Sequence, residues 1–246
     1  MDSEKRFVEI SEKKAASGDS RPEENVVSVW HGSGNTSWFR RRWFEGYTQY
    51  ETLEEDGRKV MHNVYTGYWY IQELDQRERR QHRIVYILLS LAGEALLLFG
   101  CTRVIAANWR WPCGLPAFVG LFSLLWALYG VVNDFIVPQK RTIGDYRASS
   151  LSILRGGLVC AVASCLLAVI TLVFAVICIA DPELHVLGEY VKHMMSLHPD
   201  FASPGLHVLT AAAELAAAAL AFLEYRMEKK VKYTKKQSEL AGKYTM

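Results

Sequence analysis

Residues 158–180 run for 23 positions without a charged side chain. At about 1.5 Å of rise per residue, a helix of that length reaches ~34 Å, enough to cross the hydrocarbon core of a bilayer. A chain holding such a segment is organised around a membrane. Three further apolar runs are interrupted but long enough: 84–106, broken by Glu94 and Arg103; 116–137, with Asn133 and Asp134 near its end; and 205–223, broken by Glu214. The expected fold is an all-α integral membrane protein, a four-transmembrane-helix bundle over 84–225. The whole-chain figures of 50% hydrophobic and 22% charged residues hide this, because the charges collect at the two ends.

Lys and Arg in the flanks set the direction, since they resist translocation and stay cytoplasmic. Fifteen of them, from Arg77 through Lys140 and Arg155 to Lys243, fall on one side of the four runs and three, Arg103, Arg110 and Lys192, on the other. This predicts a multi-pass protein of the cell membrane with both termini cytoplasmic. The expected exofacial loops are 107–115, where Trp109 and Trp111 suit the interface, and 181–204. With the first apolar run starting only at Ile84, the first span is expected to serve as its own signal anchor.

The segments outside the bundle divide by composition. Residues 1–27 have little to bury and read as a disordered tail. Residues 28–83 read as a small cytoplasmic module, dense in aromatics around Arg40, Arg41 and Arg42. Within it, 47–53 and 59–66 are rich in β-formers and flank Asp56 and Gly57, a hairpin signal. Two strands alone are marginal in water, so the hairpin needs a surface. Lipid headgroups would suit Trp38, Trp43 and Trp69; packing on the charged helix expected at 72–83, with Glu73 and Arg77 as an i,i+4 pair, is the alternative. Residues 226–246 read as a basic cytoplasmic tail, in which 226–236 prolong the last span as a basic helix or tail and Lys229 and Lys230 attract anionic lipid headgroups.

Glu94 and Glu214 lie near the middle of their spans, where a carboxylate costs roughly 2.5–3.5 kcal/mol on insertion scales, so each should face the bundle interior. Helical spacing agrees. It places Ser90, Glu94 and Cys101 on one face of span 1, Ser123, Ala127, Gly130 and Asp134 on one of span 2, Cys160, Ser164, Thr171 and Cys178 on one of span 3, and His207, Ala211, Glu214 and Ala218 on one of span 4. If Glu94 and Glu214 meet, two charges in hydrocarbon give way to at least one protonated acid. Such a pair either ties helices together or binds a proton or cation, with Asp134 assisting near the cytoplasmic mouth.

Other chemistry finds little support. His185, Glu189 and His193 share a face of an expected surface helix, but i to i+8 spans about 12 Å, too far for all three to reach one metal ion, so they are only weak candidates for a metal site and none is expected. Cys101, Cys113 and Cys178 fall toward the exofacial side, where Cys113 could pair with Cys101 or Cys178, although no C-x-x-C occurs. No H-E-x-x-H, G-x-S-x-G or P-loop pattern is present, and neither a cofactor nor an enzymatic activity is expected. A net charge of +2 without a reading motif argues against nucleic acid. Two functions follow: a non-enzymatic scaffold or accessory subunit, alone, as a homo-oligomer or with a membrane partner; or a small proton- or cation-coupled transporter using Glu94 and Glu214.

Overall fold

The computed structural model of the chain describes residues 26–31, 45–53, 58–103, 113–181 and 203–241. It is mostly helical. Four helices are long and apolar enough to cross a membrane: α1 (Gln76–Arg103), α2 (Gly114–Ile136), α4 (Ser152–Ala180) and α5 (Pro204–Lys230). A four-residue helix, α3 (Ile143–Tyr146), and a π-helical segment (Arg147–Leu151) precede α4. The chain separates into two compact units, one of Met1–Glu73, Val137–Arg147 and Tyr233–Met246, the other of Leu74–Ile136 and Ala148–Lys232.

The helical unit is an antiparallel four-helix bundle. α1 packs on α2 and α5, α4 packs on the same two, and α1 and α4 lie across the diagonal. The register of α1 on α2 is read from Arg83 against Asp134, Gly93 against Leu124 and Leu97 against Gly120. α1 opens at Gln76 because Asp75 caps it: its side chain accepts the Gln76 N–H at 2.8 Å and its carbonyl the Arg79 N–H at 2.8 Å. The helix therefore starts later than 72. Glu73 lies outside it, and the helical Glu73–Arg77 pair expected from spacing does not form.

Small side chains let the helices approach. A Cβ on Gly156 would lie 2.6 Å from the Ser123 carbonyl oxygen of α2, and one on its neighbour Gly157 3.0 Å from the Ala221 carbonyl oxygen of α5. α4 thus meets helix backbone on both sides at one level. The four polar and small stripes expected from spacing point inward, with Glu94 half-buried and the rest buried. Outward lie Phe122 at 66% exposure, Val162 and Val176 at 63% and Ile179 at 67%. Apolar outside and polar inside is the distribution that lipid selects.

The other unit holds two antiparallel sheets. In the first, β2 (Tyr47–Leu53) pairs β3 (Lys59–Tyr65) from Tyr47 opposite Tyr65 to Leu53 opposite Lys59, which is the hairpin expected from sequence; its turn at Asp56 and Gly57 lies outside the described residues. A third strand that sequence did not single out, β1 (Val26–His31), pairs along β2. The second sheet has the order β5-β4-β6, built from β4 (Tyr68–Gln72), β5 (Lys140–Arg141) and β6 (Tyr233–Gln237). Residues 226–236, expected as one basic helix or tail, are instead helix to Lys230 and then strand.

Tyr65 joins the two sheets. Its ring meets Tyr47 edge-on at 5.0 Å and Trp69 at 4.7 Å, and its hydroxyl donates to the Tyr68 carbonyl at 2.7 Å and accepts the Ile143 N–H at 3.0 Å. Gly46 makes room at φ +84, a backbone state that side chains rarely adopt, and a Cβ there would lie 2.7 Å from the Tyr65 ring. Arg141, fully buried, donates to Gln72 Oε1 at 2.8 Å, while Arg147 grips both oxygens of Glu45.

Candidate functional site

The polar chemistry of the bundle is concentrated on α5. Its buried face carries His207, Thr210, Glu214, Glu224 and Glu228, separated by Ala211, Ala217, Ala218 and Ala221. Sequence reasoning found Glu214 and missed the other two acids, because Glu224 and Glu228 fall where the apolar run gives way to Arg226, Lys229 and Lys230. The signal was present in the spacing. Positions 214, 221, 224 and 228 lie on one helical stripe, so acids there are buried if Glu214 is.

Glu224 and Glu228 are held by hydroxyls from other helices. Ser90 of α1 donates to both Glu224 oxygens, at 3.0 and 3.2 Å. Tyr86, one turn earlier, donates to Glu228 Oε2 at 2.9 Å, and Ser150 of the π-helical segment donates to Glu228 Oε1. All five side chains are nearly or fully inaccessible to solvent. The π-helical turn has a use here: its wider winding brings Ser149 and Ser150 inward together, and both are fully buried.

The acids expected from sequence are placed differently from one another. Glu214 is fully buried beside Gly100, whose Cβ, if present, would lie 3.5 Å from Glu214 Oε1 and 3.5 Å from the Thr210 methyl. The Thr210 hydroxyl oxygen is buried without a hydrogen-bond partner. Glu94 lies six residues before Gly100 on α1. Its Oε2 is buried, also without a hydrogen-bond partner. Asp134 accepts from Arg83 Nε at 2.6 Å through Oδ2, and its carbonyl oxygen accepts from Arg79 at 3.3 Å and from Arg83. The structure therefore ties Asp134 to two arginines and does not bring it to Glu94 or Glu214.

Of the residues expected at the lipid interface, Trp69 lies under Lys140, whose Nζ stands 4.4 Å from the ring centroid, and Lys229 stands 5.5 Å over Tyr225, with Lys230 exposed beside it. Trp38, Trp43, Trp109 and Trp111, and the weak metal candidates His185, Glu189 and His193, lie outside the described residues. Among the described residues no three His, Cys, Asp or Glu are arranged to hold a metal ion. All five cysteines are present as thiols.

Set against known proteins, the chain matches no family model, and no curated protein or solved structure is significantly similar to it.

Proposed function

We propose that the chain is an integral protein of the cell membrane that crosses it four times with both ends in the cytoplasm, and that it acts as a non-enzymatic scaffold or accessory subunit. One observation carries the reading: Glu224 and Glu228 are tied by Ser90, Tyr86 and Ser150 across three chain segments. Buried acids satisfied in this way lock helices into one arrangement, which is what a scaffold asks of its bundle. The excess of Lys and Arg at one end supports the orientation. Lys140 over Trp69, with Lys229 and Lys230, supports contact with anionic headgroups, each cation worth about 1 kcal/mol near such a surface.

A second reading, proton- or cation-coupled transport, draws on Glu94 and on Glu214 beside Thr210. Its support is the pair of buried oxygens, Glu94 Oε2 and Thr210 Oγ1, that make no hydrogen bond. The readings separate in proteoliposomes loaded with a pH-sensitive dye, comparing the wild type with the double variant Glu94→Gln, Glu214→Gln. A scaffold gives no solute-dependent proton flux in either protein, and the double variant melts within a few degrees of wild type because Gln is nearly isosteric with a protonated Glu. Flux in the wild type that disappears in a folded double variant would replace the scaffold reading with the transport one.

A further inference from the structure

Three of the five thiols, Cys101, Cys113 and Cys178, pack into one buried cluster with Ala117 and Leu167. They come from three helices: Cys101 from the last turn of α1, Cys113 from the turn just before α2, and Cys178 from the last turn of α4. The antiparallel order brings these ends to the same end of the bundle, opposite the end that carries Arg79, Arg83, Arg155 and Lys229. The fourth helix adds Leu206, and Phe174 and Ile177 of α4 pack against the cluster. A lone buried cysteine behaves as a small hydrophobe; here three thiols from separate parts of the chain share one cluster.

The helix order distinguishes their roles. α1 and α4 lie across the diagonal of the bundle, while α2 packs on both. Cys113 is therefore the thiol with a neighbouring helix on each side that bears another. Cys113 stands at the N-cap of α2, its carbonyl oxygen accepting the Ala117 N–H at 3.1 Å, so its place at the start of that helix is fixed. Cys113 is fully buried, whereas Cys101 and Cys178 keep 3% and 5% of their surface.

We propose that this cluster is a disulfide-forming site with Cys113 as its hub. A small-molecule disulfide is the oxidant. The thiolate of Cys101 or Cys178 attacks one of its sulfurs, forming a mixed disulfide and releasing one small thiol. The Cys113 sulfur then attacks the protein sulfur of the mixed disulfide, forming the internal S–S bond and releasing the second small thiol. Two S–H protons leave the protein thiols and two are taken up by the released thiols; two electrons pass to the oxidant. The bridge closes either the short connection from Cys101 or the longer one from Cys178, and in both cases fixes the start of α2 to a neighbouring helix. That the site is oxidised in the cell rests on the orientation proposed above, which puts this end of the bundle on the oxidising side.

The test uses the full-length protein in detergent, incubated with oxidised glutathione, then denatured and alkylated, with peptide mapping by mass spectrometry. The expected result is three alkylated thiols in place of five, with Cys113 linked to Cys101 or Cys178 and full alkylation restored by reductant. In the Cys113→Ser variant all four remaining thiols should alkylate, while at least one of Cys101→Ser and Cys178→Ser should retain the bridge. Five alkylated thiols in the oxidised wild type, or a Cys101–Cys178 link in either protein, would overturn the proposal. A bridge that forms in detergent, with reduced thiols in intact membranes, would uphold the site and overturn the orientation instead.

Discussion

Tyr65 shows how one side chain acts at the residue scale. Its hydroxyl is at once a donor to Tyr68 and an acceptor for Ile143, inside a ring cluster that keeps it nearly out of water. Burial pushes the phenol up from 10.0 to about 12, against the Ile143 N–H, which favours the ionised form, and with smaller help from Tyr47, Tyr70 and Asp145. The unfolded chain ionises this group first, so the stability it confers is complete below pH 10 and is lost as pH rises toward 12. Tyr65→Phe keeps the ring contacts and removes both hydrogen bonds, at a cost of about 1–2 kcal/mol near neutral pH. Thermal unfolding of the two proteins in the same detergent, from about pH 8 to about pH 12, should show the variant melting lower at the start and the gap closing toward the end. A gap that stays constant over that range would mean that the hydroxyl is not the titrating group.

At the scale of elements, α4 is held by what its glycines lack. Replacing an interior helical glycine by alanine ordinarily stabilises a helix by about 0.5–1 kcal/mol. At Gly156 the sign should reverse, because the added methyl would stand 2.6 Å from the Ser123 carbonyl oxygen and 2.7 Å from the Ala127 nitrogen, backbone atoms that move only if α2 moves. Gly205, in the first turn of α5, is the control, since a Cβ there meets nothing within 4 Å. Gly156→Ala is expected to lower stability by about 1–3 kcal/mol and Gly205→Ala to leave it unchanged or slightly raised, as read by thermal unfolding. Equal effects at the two sites would show that the α2–α4 crossing is looser than the bundle requires.

The same elements show what sequence made legible. The four long helices were readable because each is a long apolar run, and their inward faces because the polar residues within those runs recur at helical spacing. The β2–β3 hairpin was readable from β-formers on both sides of Asp56 and Gly57. β6 was not: Tyr233, Thr234, Lys235, Lys236 and Gln237 alternate little and carry two cations, and their pairing with β4 joins positions more than 160 residues apart. Glu224 and Glu228 were hidden for a related reason. Next to Arg226, Lys229 and Lys230 they look like the solvated end of a span, and only the hydroxyls of Ser90, Tyr86 and Ser150, contributed from elsewhere in the chain, make them interior residues.

At the scale of the whole molecule, the β5-β4-β6 sheet restricts how the chain can be threaded. β4 ends at Gln72, four residues before α1 begins, and β6 begins at Tyr233, three residues after α5 ends. Their ladder runs from Tyr68 opposite Gln237 to Gln72 opposite Tyr233. Strands on opposite sides of a bilayer cannot pair, so a chain that keeps this ladder crosses the membrane an even number of times between Gln72 and Tyr233. β5 adds a condition: it follows α2 and pairs with β4 through Tyr70 opposite Arg141, so the number of crossings before Lys140 is even as well. Two and two is the count that four spanning helices supply. Tags placed at the N-terminus, within 137–142 and at the C-terminus, each probed with an impermeant reagent on intact and permeabilised cells, should report one and the same side. Protection of one tag with labelling of another would mean either that one of the four helices does not cross or that the ladder is not formed in the membrane. Disrupting β6 by Lys235→Pro, which removes a ladder N–H, would then decide between them: a change in labelling pattern locates the fault in the ladder, and an unchanged pattern locates it in the helix.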